Sequence, residues 1–268
     1  MTAYGTYDDI GVTLDNLVAI IEIQRPPNNF FDIALINQIA HALEKLDADE
    51  DCRASVLCSE GKAFCAGANF GGGEALDDRG QFKNQSEEDR VRHLYKEAVR
   101  LFECLKPIVG AIEGPAIGGG LGLAMVPDFR VTCPEARFAA NFTRLGFHPG
   151  FGLTETLPAV IGKQNANLMF FTSRRFKGDE AHAMGLADVL VAQEDVRATA
   201  HALAREIAEN SPLGVVETRA TLREGLADRV RAATARELEI QKRLKATADF
   251  KEGVKAMAER RAPNFIGG

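Results

Sequence analysis

Along this chain the spacing of apolar positions switches between a short and a long period, and each switch falls at turn residues. "LVAIIEIQ" (Leu17 to Gln24) is rich in β-branched residues and ends at "RPPNN", where paired prolines and asparagines stop a strand and turn the chain. "DIALINQIAHALEKLDAD" then repeats apolar residues at helical spacing behind Asp32, which is placed to cap the helix. "ASVLCSEG" reads as a short strand, followed by the loop "KAFCAGANFGGG". From Ser86, "SEEDRVRHLYKEAVRLFECL" predicts an amphipathic helix with acids first and bases later, the order the helix dipole favours; it stops at Lys106-Pro107. "IVGAIEG" is a strand leading into "GPAIGGGLGLAM", and "FRVTCPEARFAA" predicts two more strands. Beyond Gly152 the pattern is almost wholly helical, in "GLTETLPAVIG", "NANLMFFTS", "GDEAHAMGL", "VRATAHALAREIAEN" and Gly214 to Ala262, with "ADVLVA" as one late strand.

Strands and helices therefore alternate in the first part of the chain, which is the signature of an α/β architecture. The boundaries that follow are a core over residues 1–200 and a helical C-terminal region over 201–268. With 268 residues there is mass for one large α/β domain or one domain plus a helical appendage. The net charge of −6 is spread without a basic block, which leaves no electrostatic footprint for nucleic acid. Five cysteines (Cys52, Cys58, Cys65, Cys104 and Cys133) form no metal-ligand spacing, and "MTAYGTYDDIG" lacks the basic and apolar regions of a signal peptide. A reducing cytoplasm is the expected location. No apolar run approaches the roughly 18 residues that a membrane span needs.

Three consecutive glycines, Gly118 to Gly120, interrupt an apolar run that otherwise has helical character. Glycine costs roughly 1 kcal/mol against alanine inside a helix, so their presence points to a close approach of backbone. Two glycine loops, "GKAFCAGANF" and "EGPAIGGGLGLAM", each follow a strand. Backbone N–H groups at such turns are suited to an oxygen that gains negative charge during a reaction; tight packing is the alternative use of small residues there.

The two loops in this order, after "RPPNN" and before "LGFHPGFG", resemble the crotonase superfamily, the enoyl-CoA hydratase/isomerase group, from about Val18 to the final "RRAPNF". The resemblance implies a spiral core of ββα units, a helical C-terminal trimerisation region, and a homotrimer or dimer of trimers. It also implies an acyl-CoA thioester as substrate, with coenzyme A arriving as part of it and no separate cofactor. By position, the backbone amides that hold the thioester oxygen are Ala68 in "CAGA" and Gly119 in "IGGG". Coenzyme A contacts carry over to Pro27, Ala66 and Phe70 near the first loop, and to Arg260 and Phe265 in "ERRAPNF". A solvated helix end is the alternative for Arg260 and its neighbour Arg261.

The match fails where the hydratases place their two glutamates. Those positions hold Gly122 and Phe142, and the "PG" region, where relatives use an aspartate, reads His148-Pro149-Gly150-Phe151. His148 remains as the neutral-pH proton carrier, with Glu155 close enough in sequence to orient it. A loop anchor and a dipole-complementing acid are the alternative roles for this pair. Cys65, His93 and Tyr95 are weaker candidates, since a buried thiol is inert and the other two sit at ordinary helical spacing. The resulting expectation is an acyl-CoA enzyme with nonstandard acid/base residues, suited to decarboxylation or C–C cleavage more than to hydration. A CoA-thioester-binding protein without catalysis, or a partner in an acyl-CoA complex, is the alternative.

Overall fold

Residues 2–69 and 94–268 are described by a computed structural model of the chain. The N-terminal ribbon is antiparallel: β1 (Thr2–Ala3) pairs with β2 (Ile10–Asp15), and β2 with β3 (Val18–Ile23). From β3 the sheet continues in parallel through β4 (Ala54–Ser59), β5 (Ile108–Ile112), β7 (Phe129–Thr132) and β10 (Val189–Leu190). Every residue of β4 and β5 is buried, as expected of parallel strands covered on both faces. A smaller sheet joins β6 (Ala116–Ile117) in parallel to β8 (Arg137–Ala139), and β8 antiparallel to β9 (Phe176–Lys177).

Helix α1 (Ile33–Ala48) begins at Asp32, whose carboxylate accepts from the Leu35 N–H at 3.0 Å, the cap read from the sequence. It packs on α2, described over Leu94–Glu103. The six-residue α3 (Gly119–Ala124) follows the glycine triplet. Helix α4 (Leu153–Thr172) is broken at Gly162, where φ is 74° and ψ 158°. After α5 (Gly178–Ala183), helix α6 (Val196–Ala208) lies across β3, β4, β5 and β7 and turns Val196, Ala200, Ala204 and Ala208 into the core. The line drawn at residue 200 thus falls inside α6, a helix packed on the main sheet.

Three further helices, α7 (Pro212–Leu222), α8 (Leu226–Lys245) and α9 (Ala248–Ala258), complete the chain. Asp128, just before β7, accepts from Arg219 of α7 at 2.9 Å and from Arg223 at 2.7 Å. Helix α8 packs against α2 and α4, while α9 packs on the short turn Thr143–Leu145. The last residues fold back on α9: the Asp249 carboxylate accepts from the Ile266 and Gly267 N–H groups at 2.8 and 3.0 Å. Among the described residues no helix is long and apolar enough to cross a membrane.

Two features of the sheets are absent from the sequence reading. Strands β1 and β2 lie before Leu17, in a segment where only Ile10 and Val12 alternate as buried residues. Strands β6 and β9 are two residues each, too short to carry a period.

Candidate active site

The first glycine turn is stitched to the "RPPNN" segment. Asn29 is fully buried; its amide donates to Glu60 O and Ala63 O at 2.6 and 2.7 Å, and its Oδ1 accepts from Arg25 N at 3.0 Å. Pro27 O accepts from Lys62 N at 3.0 Å, and Asn28 O from Ala66 N at 2.9 Å. Phe31 N donates to Gly67 O at 3.1 Å. In a trans peptide the C=O and the following N–H point opposite ways, so this bond turns the Ala68 N–H away from Phe31. Gly67 has φ of +81°, and a Cβ there would stand 2.6 Å from Ile117 O, so only glycine fits.

The second turn is laid beside the first. Cys65 N donates to Pro115 O at 3.1 Å and Ile117 N to Cys65 O at 3.0 Å, a parallel bridge between the two loops. Gly118 O accepts from Leu121 N and Gly122 N at 3.0 and 3.2 Å, which aims that carbonyl into α3 and the Gly119 N–H out of its start. The sharp turn belongs to Gly118 alone, with φ of +57°. Gly120 instead admits a close approach: a Cβ there would stand 1.9 Å from Cys65 O. The Gly119 nitrogen lies 3.6 Å from where a Cβ on Gly67 would be, so the two turns present their amides side by side. Among the described residues neither the Ala68 nor the Gly119 N–H has a hydrogen-bond acceptor.

Aromatic rings occupy the remaining side. A Cβ on Gly119 would meet Phe31 Cζ at 2.2 Å, and one on Gly122 would meet Phe151 at 2.7 Å. The Phe31 and Phe151 centroids are 5.6 Å apart, and Tyr95 stands edge-on to Phe151 at 6.4 Å. Phe142 is buried edge-on against Phe147 at 5.5 Å, and Phe147 against Phe250 of α9 at 5.4 Å. No carboxylate stands at position 122 or 142.

His148 is half-buried, and its Nδ1 lies 2.9 Å from Pro149 O. A carbonyl only accepts, so Nδ1 carries the proton and Nε2 of the neutral ring is left as an acceptor. The expected pairing of His148 with Glu155 is not formed: the Glu155 carboxylate accepts from Arg229 at 2.8 Å. From the third position of α4 its side chain leans outward to α8, away from the loop that carries His148. The buried carboxylate near the loop is Glu237 of α8, only 1% exposed, which accepts from Gly152 N at 2.8 Å, Thr154 N at 3.0 Å and Thr154 Oγ1 at 2.6 Å. Burial pushes its pKa up, against the pull of these hydrogen bonds and of His148. One turn further, Gln241 donates to His148 O at 2.8 Å and to the Tyr95 hydroxyl at 3.2 Å.

Glu237 and Gln241 are absent from the sequence reading. Their signal is the stripe Val230, Thr234, Glu237 and Gln241, all buried on α8 and increasingly polar where a core-facing stripe is normally apolar.

Of the positions carried over for coenzyme A, Pro27 is exposed and Ala66 half-buried, both at the edge of the first turn. Arg260 is exposed after α9 with φ of 55°, and Phe265 is 39% exposed in the folded-back tail. Phe70 and His93 lie outside the described residues. Cys65 is fully buried, and burial pushes its thiol up to about 12, which removes it as a nucleophile. Among the described residues no group of His, Cys, Asp or Glu could hold a metal ion.

Residues 13–268 match the family profile described as enoyl-CoA hydratase/isomerase. A probable enoyl-CoA hydratase of Rhodobacter capsulatus is 30% identical over 264 residues, covering 98% of this chain and 99% of its own. A crotonyl-CoA hydratase of Syntrophomonas wolfei is 30% identical over 263 residues, covering 97% and 98%. The crystal structure of an enoyl-CoA hydratase/isomerase from Pseudoalteromonas atlantica has a TM-score of 0.84 at 31% identity, covering 97% of this chain and 100% of that one.

Proposed function

Because the chain belongs to the enoyl-CoA hydratase/isomerase family and has the crotonase fold, we propose that it binds an acyl-CoA thioester with the thioester oxygen between the N–H groups of Ala68 and Gly119. The observation that carries this reading is the pair of adjacent turns, each aiming an amide that has no acceptor among the described residues. Chemistry at the carbon next to a thioester carbonyl passes through an enolate. Two fixed donors stabilise that charge more than they stabilise the neutral carbonyl, and the loss of one typically raises the barrier by about 3 kcal/mol. Coenzyme A is part of the substrate, with Pro27 and Ala66 at one edge of its path and Arg260 and Phe265 supplied by the C-terminal segment of the same or a neighbouring subunit. A homotrimer or dimer of trimers in a reducing cytoplasm fits this reading.

Addition of water needs an acid and a base across the double bond, and Gly122 and Phe142 supply neither. A reaction that relies mainly on the two amides fits better. In decarboxylation of a malonyl-type thioester the carbon–carboxylate bond breaks, its electron pair moves onto the carbonyl oxygen held by Ala68 and Gly119, and CO₂ departs. A proton then reaches the α carbon. His148 is the residue we assign to that delivery: its ring takes a proton from solvent at Nε2, the nitrogen left open because Nδ1 is committed to Pro149 O, and passes it to the α carbon, returning to the neutral form.

The Phe151 ring against Gly122 favours one other reading, an acyl-CoA-binding protein without turnover, because an apolar side chain fills the space where an acid would stand. A structure with a nonhydrolysable acyl-CoA tests the first step: N to O distances well beyond about 3.5 Å at both Ala68 and Gly119 overturn it. Turnover of malonyl-type or β-keto thioesters separates the enzyme from the binder.

A further inference from the structure

Gly119 and Gly122 are three residues apart on α3 and so share one face of that helix. That face is covered by two rings in sequence. Phe31 lies on the Gly119 α carbon, and Phe151, fully buried, lies on Gly122 with its centroid 5.6 Å from that of Phe31. An acyl group held at the Gly119 amide borders this face, and whatever extends along it meets Phe151.

Phe151 is held there against its own backbone preference. Its φ of 65° lies in the left-handed region, which a bulky side chain adopts only where its surroundings impose it. Those surroundings come from α8. Glu237 accepts the Gly152 N–H, the amide directly after Phe151, together with the N–H and hydroxyl of Thr154. Gln241, one helical turn on, donates to His148 O on the other side of Phe151. Both α8 side chains are 1% exposed, and a buried carboxylate is tolerated only when it is fully hydrogen-bonded, as Glu237 is. The segment from His148 to Thr154 is therefore pinned at both ends by two residues of one helix.

We propose that Phe151 is a specificity-determining residue that restricts the site to short acyl groups, and that Glu237 and Gln241 are positioning residues that keep its ring against Gly122. This rests on the acyl-CoA reading above. The ring takes up the space a longer chain would need along α3, and the α8 clamp denies it the freedom to swing aside.

The experiment is calorimetric binding of free coenzyme A, acetyl-CoA and octanoyl-CoA to the full chain, for the unchanged protein and for F151A, F151L and E237Q. The unchanged protein is expected to bind octanoyl-CoA about tenfold or more weaker than acetyl-CoA, the scale on which a pocket discriminates chain length. F151A is expected to erase that ratio while acetyl-CoA binding changes by less than about threefold. F151L keeps a large apolar side chain if F151A does not fold, and is expected to reduce the ratio in part. E237Q is expected to shift the ratio in the same direction while its circular dichroism is unchanged, a selectivity readout that loss of stability alone would not move. Equal binding of the two thioesters by the unchanged protein, or an unaltered ratio in both Phe151 variants, overturns the role of Phe151. A Phe151 effect with no shift in E237Q overturns the positioning role. Failure of all three ligands to bind the unchanged protein overturns the acyl-CoA reading itself, and this proposal with it.

Discussion

The candidate site has two halves built on different principles. On one side, Gly67-Ala68 and Gly118-Gly119 contribute backbone only, and each peptide is aimed by a neighbouring main-chain hydrogen bond. On the other, Phe142, His148 and Phe151 contribute side chains, and their places are set by α8 and α9, about a hundred residues further along. In the backbone half a Cβ at Gly67 would stand 2.6 Å from Ile117 O and one at Gly119 2.2 Å from Phe31 Cζ, so neither glycine can be replaced without displacing its neighbour. The side-chain half has Gly122 and Phe142 where the resemblance leads one to expect the glutamates of a hydratase. On the function proposed above, binding geometry resides in the first half and the choice of reaction in the second.

The comparison breaks most severely at Gly120. The G120A methyl would stand 1.9 Å from Cys65 O, a backbone atom that cannot step aside without separating the two turns. We expect a stability loss of about 3 kcal/mol or more in urea titrations, with loss of acyl-CoA binding. Stability within about 0.5 kcal/mol of the unchanged protein would show that the loops have slack. A68P removes one donor and leaves the other. Turnover should fall about 10² to 10³ fold with secondary structure intact by circular dichroism, and an undiminished rate would remove Ala68 from the mechanism.

Next in size is the side-chain half. H148Q should lower turnover by about 10² if His148 moves a proton, whereas an unchanged rate leaves it a loop anchor. The smallest effect concerns Glu237. Burial raises its pKa in the folded chain, so between its ordinary value near 4.5 and the raised value the folded state binds more protons than the unfolded one. Its contribution to stability therefore falls as pH rises through that window. The difference in urea midpoint between the unchanged protein and E237Q should change with pH in the interval just above 4.5, and a pH-independent difference would mean that the carboxylate titrates normally.

The same division explains what was legible in the sequence. Strand β3, helix α1 with its Asp32 cap, and strands β4 and β5 follow from local period and turn residues, and the structure has them where the pattern predicts. The glycine turns were visible because glycine marks backbone geometry directly. The helical stretch after Gly152 is legible in type and divides at Gly162, where "GLTETLPAVIG" ends, whereas the φ of 74° and ψ of 158° that the break adopts are not, since a lone glycine gives no sign of how its backbone will turn. The Glu155 expectation failed for a related reason. Nearness in sequence said nothing about which way α4 would present that carboxylate, and Arg229 on α8 captured it. Glu237 lies 86 residues beyond Phe151 in a helix whose polar residues look solvated until its packing face is known. In "RPPNN" the turn was evident, whereas the four-way clamp around Asn29 was not, because its partners Glu60 and Ala63 belong to the loop after β4.

The position of α6 bears on how the chain is made. Strands β3, β4 and β5 are complete by residue 112, yet the helix that lies across them ends at Ala208, more than three quarters of the way along. On a ribosome adding about 5 to 20 residues per second, that stretch takes about 5 to 20 seconds. Throughout it, apolar strands such as "IVGAI" await their covering helix, a condition under which nascent chains associate with one another. Yield in cells should therefore respond to synthesis rate and to chaperone supply even where the finished protein is stable.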